Sequence, residues 1–228
     1  WNHGERTTMR ILRISNTPVG YCEPQRHVLV QWMDGTQSRV GIENGTPNHL
    51  MKNFLERDPT IELHTVLQKA DVEYSTEDET ALDHFPVKRE ALMGYDVVIF
   101  GDLNPAFLSD GVYENLDDFV REAGGGLIVV AGPLYVPLAF RGTPLETLLP
   151  IKLEGARVPP EAIPIVEGFR PHLTFQGRKE TTIFRFSETE EESLEVWNNL
   201  PELYWLFEAH ELAEGARVYA EHPTRNGA

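Results

Sequence analysis

Two short runs that are apolar at every position constrain this chain most: Val97-Val98-Ile99-Phe100 and Leu127-Ile128-Val129-Val130-Ala131. A strand with one wet face alternates apolar and polar residues, because successive side chains point to opposite sides. A run with no polar member needs cover on both faces, as in a parallel sheet between helix layers. The neighbouring segments agree with that reading. Residues 39–43 read as a first strand, after which Thr46 can cap a helix and Pro47 can sit in its first turn. Leu50, Met51, Phe54 and Leu55 recur at helical spacing until Asp58-Pro59 stops them. Residues 60–66 alternate as a strand, and a short helix is expected near 87–93. A further helix, capped by Ser109 or Asp110, carries Val112, Leu116, Phe119 and Val120 on one face. The alternation predicts an α/β fold with a doubly wound, mostly parallel, flavodoxin-like sheet.

The first 37 residues have another character. Residues 9–15 and 27–33 are strand-type runs joined by a Pro- and Gly-containing loop, and Asp34-Gly35 supplies a turn afterwards. They predict an extra N-terminal strand pair at an edge, and a division into a β extension (1–37) and an α/β domain (38–228). Beyond residue 150 the expected elements are strands at 173–175 and 182–186 and a short helix around Leu194 and Trp197. Late strands at 204–207 and 216–220 are expected to return to the sheet.

Composition argues against several functions, though not against a local basic site. Against 36 Asp and Glu stand 20 Lys and Arg, a formal charge of −16. Neither nucleic acid nor an anionic membrane welcomes such a polyanion. Cys22 is the only cysteine, which rules out an intrachain disulfide, a Cys-rich zinc site and an iron–sulfur cluster. The most apolar stretch, 126–140, is broken by Gly132, Pro133 and Pro137, so the domain itself is not expected to enter a membrane. The chain opens at Trp1 with no initiator Met, as a piece of a longer protein would.

Ligands of open α/β sheets bind beyond the carboxyl ends of the strands. That rule selects Asn44 and Thr46, Gln68, Asp102 and Asn104, the turn Gly132-Pro133-Leu134-Tyr135, and His222 after the last strand. Asp102 and Asn104 directly follow a buried strand. The ordinary use of such a pair is to cap backbone N–H groups in the turn, with catalysis as the alternative. Gly124-Gly125-Gly126 is no phosphate loop, because it follows a helix and precedes a strand, where glycine stops helices. No GxGxxG or GxxxxGK[ST] occurs, so no nucleotide cofactor is expected. The eight histidines form no HxH or HxxxH pair, and no metal site is expected.

Several of these segments resemble the class I glutamine amidotransferase-like domains of large bacterial membrane-anchored proteins, which often also carry a von Willebrand factor type A domain. The resemblance lies in Phe54-Leu-Glu-Arg-Asp-Pro59, in Tyr95-Asp-Val-Val-Ile-Phe-Gly-Asp102, and in Asp118-Phe-Val followed by Gly124-Gly-Gly-Leu127. Val130-Ala-Gly-Pro133 and the run from Gly142 through Pro144 to Pro150 extend it, and Trp197 with Leu200-Pro201 and Gly215-Ala216 add to it loosely. In a working member, a Cys on a sharp turn after a central strand attacks the amide, aided by a His and a Glu near the last strand. The chemistry needs a thiolate beside an imidazole and N–H groups facing the oxyanion. Here that elbow reads Gly132-Pro133-Leu134-Tyr135, with no Cys, Ser or Thr, and Pro133 removes an N–H. Glu221-His222 has the right residue types in the reverse order.

The resemblance therefore implies a catalytically silent domain. It would serve as a binding or scaffolding module tethered to a bacterial membrane through its full-length protein, with other domains of that polypeptide or protein partners as its contacts. The alternatives are a hydrolase using Asp102, Asn104 or His222, and a flavodoxin-like small-ligand binder.

Overall fold

A computed structural model of the chain describes residues 8–15, 27–31, 37–41, 55–67, 79–132, 134–157, 168–203 and 205–224. The chain forms two compact units, Trp1–Val130 and Ala131–Ala228.

The first unit is built on four parallel strands. In chain order they are β1 (Met9–Ser15), β4 (Ile61–Leu67), β5 (Val97–Phe100) and β6 (Gly126–Val129). Across the sheet they lie in the order β4-β1-β5-β6. Two further strands among the described residues of this unit, β2 (His27–Gln31) and β3 (Gln37–Gly41), pair antiparallel with each other. The expected edge pair is therefore corrected. Met9–Ser15 is an interior strand bonded to β4 on one side and β5 on the other, so a division at 37/38 separates it from its sheet partners. Of residues 39–43, expected as the first sheet strand, 39–41 belong instead to β3, paired with β2. The cause is legible in the residues. Ile11, Leu12, Arg13 and Ile14 are all buried, which only a strand covered on both faces allows. The hairpin strands flank Asp34-Gly35, a dipeptide suited to a tight antiparallel connection.

Alternation divides the core. Ile11, Leu63 and Ile99 cluster on one face, with Leu55, Ile61 and Val97 packed against them. Leu12, Ile14, Val66, Val98 and Phe100 alternate onto the other face and are buried as well, with the Phe85 ring 6.3 Å from that of Phe100. The expectation of cover on both faces holds for β5 and fails for β6, where Ile128 is 48% exposed. β6 is one of the two edges of the sheet among the described strands. Two helices precede β5 and β6 in the chain: α1 (Arg89–Leu92) and α2 (Asp110–Arg121). Along α2, Val112, Leu116 and Phe119 are buried as their spacing demands, joined by Tyr113. Arg89 ties the two together, its Nε donating to Asp118 at 3.1 Å and its Nη2 to Glu122 at 3.1 Å.

The glycines after α2 do separate jobs. Gly124 takes φ +71° and ends the helix, as its place in the sequence predicts. Gly125 lies so close to Phe119 that a Cβ there would overlap the buried ring. Close packing is a second reason for glycine.

Near the amino-terminal ends of β1 and β4 lies a partly buried polar cluster. Arg10 Nε donates to Glu62 at 2.9 Å, the Arg10 guanidinium stands 4.9 Å over the Tyr95 ring, and Tyr95 Oη lies 3.0 Å from His64 Nδ1. Burial lowers the pKa of His64, which Glu62 opposes and Arg10 assists. Burial likewise raises the pKa of Tyr95.

The second unit has little regular structure. Two 3-10 turns (Leu138–Phe140 and Pro144–Leu148) come first, and Arg141 Nη2 donates to the carbonyls of Leu153 and Ala156. A two-stranded antiparallel ladder joins β7 (His172–Leu173) to β8 (Ala220–Glu221). Between them lie α3 (Phe175–Lys179) and α4 (Glu190–Asn198), each capped by a threonine hydroxyl, from Thr174 and Thr189.

Neither 182–186, with a turn at 183–184, nor 205–207 carries a strand, while β8 pairs with β7 and not with the four-stranded sheet. The short helix around Leu194 and Trp197 is present as α4.

Candidate functional site

Consider first the carboxyl ends of the sheet strands. The ladder between β1 and β5 runs one residue past β5, where Gly101 N–H donates to the Ile14 carbonyl at 2.8 Å. Asp102 comes next and is half-buried. Leu103 and Leu108, both buried, anchor the two ends of the following turn. Within it, Asn104 Oδ1 accepts the Ala106 N–H at 3.0 Å and caps the 3-10 turn Pro105–Phe107. Tyr113 Oη donates to the Pro105 carbonyl at 3.2 Å. Asn104 thus serves the backbone, which is the ordinary role of an Asx residue in such a turn. Asn44, Thr46, Gln68, Cys22 and Pro133 lie outside the described residues.

The junction after β6 is the second place to look. The Gly132 N–H donates to the Val136 carbonyl at 2.9 Å, closing a tight loop in which Tyr135 is half-buried and Leu134 exposed. Tyr135 also accepts, through its carbonyl, the Ala139 N–H at 2.7 Å. The chain then goes into the two 3-10 turns, and residues 134–157 contain no α-helix. A nucleophile elbow is a strand–turn–helix device, whose helix start aims N–H groups at the oxyanion. This junction has neither the attacking side chain nor the helix.

The third place lies in the second unit, where a cleft of about 550 Å³ contains His222. Arg170, His172, Asn198, Glu202 and Thr224 supply its other polar walls, and Phe169, Leu206 and Pro223 its apolar ones. That volume is within the range of small-molecule sites, roughly 300–1,000 Å³. Each wall is pinned. Phe169 and Leu203 exchange backbone hydrogen bonds at 2.9 and 2.8 Å. Trp197 Nε1 donates to the Pro171 carbonyl at 2.7 Å, fixing α4 and hence Asn198 at its end. Arg170 donates from Nε to the Leu200 carbonyl at 2.8 Å and from Nη1 to Glu202 at 2.9 Å. His222 packs on Phe169, ring centroids 4.3 Å apart, and its Nδ1 accepts the Thr224 N–H at 3.2 Å. That contact puts the proton of the neutral imidazole on Nε2.

Of the described residues of this unit selected from the sequence, His222 lines the cleft and Tyr135 does not. Sequence reasoning passed over Arg170, His172, Asn198 and Glu202, which belong to no spaced motif. The one local signal was Arg170-Pro171-His172, where a proline between two side chains capable of positive charge keeps them out of a helix. It also passed over Arg13 in β1, which is buried. Among the described residues no group of three or more His, Cys, Asp or Glu side chains is placed to hold a metal ion.

The chain matches no protein-family model, no curated protein and no solved structure.

Proposed function

We propose that this chain is a class I glutamine amidotransferase-like domain that does not cleave amides and acts as a binding or scaffolding module. The observation that carries the reading is the junction at 132–135. It offers no nucleophile, and its N–H at Gly132 is already committed to Val136. The strand order β4-β1-β5-β6 supports a flavodoxin-like winding, in which the first strand lies between the second and third of the sheet. The partners of such a module are other domains of a longer, membrane-anchored bacterial envelope protein. No described helix is long and apolar enough to cross a membrane itself.

Ammonia release from L-glutamine by the purified chain tests the reading. The expected result is no release above buffer, and turnover abolished by Cys22→Ala would overturn it.

The cleft beside His222 favours a second reading, a small-ligand binder. A hydrolase using Asp102, Asn104 or His222 loses support from the capping role of Asn104.

A further inference from the structure

We infer that the cleft of the second unit binds a small organic carboxylate with an apolar body. The anionic group would meet Arg170, His172 and Asn198, and the body would lie along Phe169, Leu206 and Pro223. The first support is charge. In a chain with 36 acidic and 20 basic residues, the described lining of this cleft holds one arginine against one carboxylate, with two imidazoles and an amide beside them as further hydrogen-bonding groups. That carboxylate, Glu202, is already paired with Arg170 at 2.9 Å. Glu221, the ladder partner of His172, is not part of the lining.

The second support is unspent hydrogen-bonding capacity. Among the described residues, Arg170 uses Nε and Nη1 but not Nη2, and neither the His172 ring nor the Asn198 side-chain amide has a hydrogen-bond partner. A guanidinium held in place by two bonds has lost its rotamer freedom before the ligand arrives, so less is lost on binding. Charge-assisted donors of this kind suit a carboxylate. The third support is the apolar wall, which gives a ligand body area to bury and disfavours a bare inorganic anion.

This inference goes beyond the amide-inert reading, and the two fail separately: glutamine turnover sinks only the first, a flat titration only the second. The test is a titration of the full 228-residue chain with benzoate, benzamide and inorganic phosphate, followed by the imidazole carbon-bound proton signals of His172 and His222. Benzoate is expected to move both signals saturably, with benzamide and phosphate at least about tenfold weaker, the worth of a charge-assisted bond. Arg170→Gln should weaken benzoate by about tenfold or more. Arg170 also holds Leu200 and Glu202, so that variant can fail to fold. Asn198→Ala removes no hydrogen bond to a described residue and should weaken benzoate by about two- to tenfold. Signals unmoved by benzoate, moved equally by benzamide, or saturated better by phosphate would each overturn the inference. So would an Asn198→Ala chain that binds as the parent does.

Discussion

The two units meet the same demand, to satisfy every buried polar group, by different means. In the first, parallel ladders satisfy the backbone of β1, β4, β5 and β6 while buried side chains, apolar except for Arg13 and Thr65, cover both faces of β1 and β5. Polar residues at its strand ends are drawn into that scheme, as Asn104 is by the Ala106 N–H. In the second, short ladders leave many carbonyls over, and side chains reach them: Arg141 to Leu153 and Ala156, Arg170 to Leu200, Thr174 to Val218, Trp197 to Pro171. A region held together by its polar side chains has some to spare, and the cleft is where they collect. The difference teaches that an ordered sheet does not by itself mark the functional end of a chain.

Substitutions can break that contrast, and core truncation is the strongest. Phe100 is fully buried, so Phe100→Ala should cost about 3–5 kcal/mol in urea unfolding. A smaller loss would mean the sheet is not the stable part. Next come two glycines that each admit a close neighbour. Gly125→Ala pushes a methyl into the Phe119 ring, and Gly177→Ala pushes one into the Tyr219 carbonyl. Each should cost about 1–3 kcal/mol. Hydrogen exchange would sharpen the comparison, since Gly125→Ala should loosen the amides of β6 and Gly177→Ala the Thr174 amide that donates to Tyr219.

Acid should act on the first unit through His64. Its pKa is lowered in the folded chain, chiefly by burial. As pH falls below the ordinary histidine value of about 6.5, the unfolded chain therefore takes up the proton first and stability drops. His64→Gln should flatten that part of the profile, seen as a smaller difference in melting temperature between neutral and mildly acidic buffer. The smallest effect belongs to the second unit's surface. Ile183 is 69% exposed, and Ile183→Ala should stay within about 0.5 kcal/mol of the parent. A larger loss would show that this surface is covered in solution.

Much of the first unit was legible because its signals are local. Val97–Phe100 reads as a covered strand without any help, and Val112, Leu116 and Phe119 read as a helix face. The place of β1 was not legible, because Arg10 and Arg13 make Met9–Ser15 look like an exposed strand, and partners such as Glu62, 52 residues on, are invisible to a local pattern. In the second unit, residues 182–186 alternate like a strand, yet the turn there is held by side chains of a later element, Ser193 Oγ accepting the N–H groups of Phe186 and Ser187. The cleft joins residues from 168 to 224 by contacts of that non-local kind. Only His222 was reachable, through the rule that ligands gather at strand ends, although the strand it follows proved to be in another ladder.

The central claim is the proposal that the turn at 132–135 carries no nucleophile for cleaving an amide. Incubation of the intact chain with an electrophilic diazoketone analogue of glutamine, read by mass spectrometry, tests it most directly. The account predicts no adduct that glutamine suppresses. A stoichiometric adduct on Cys22 that excess L-glutamine prevents would contradict it.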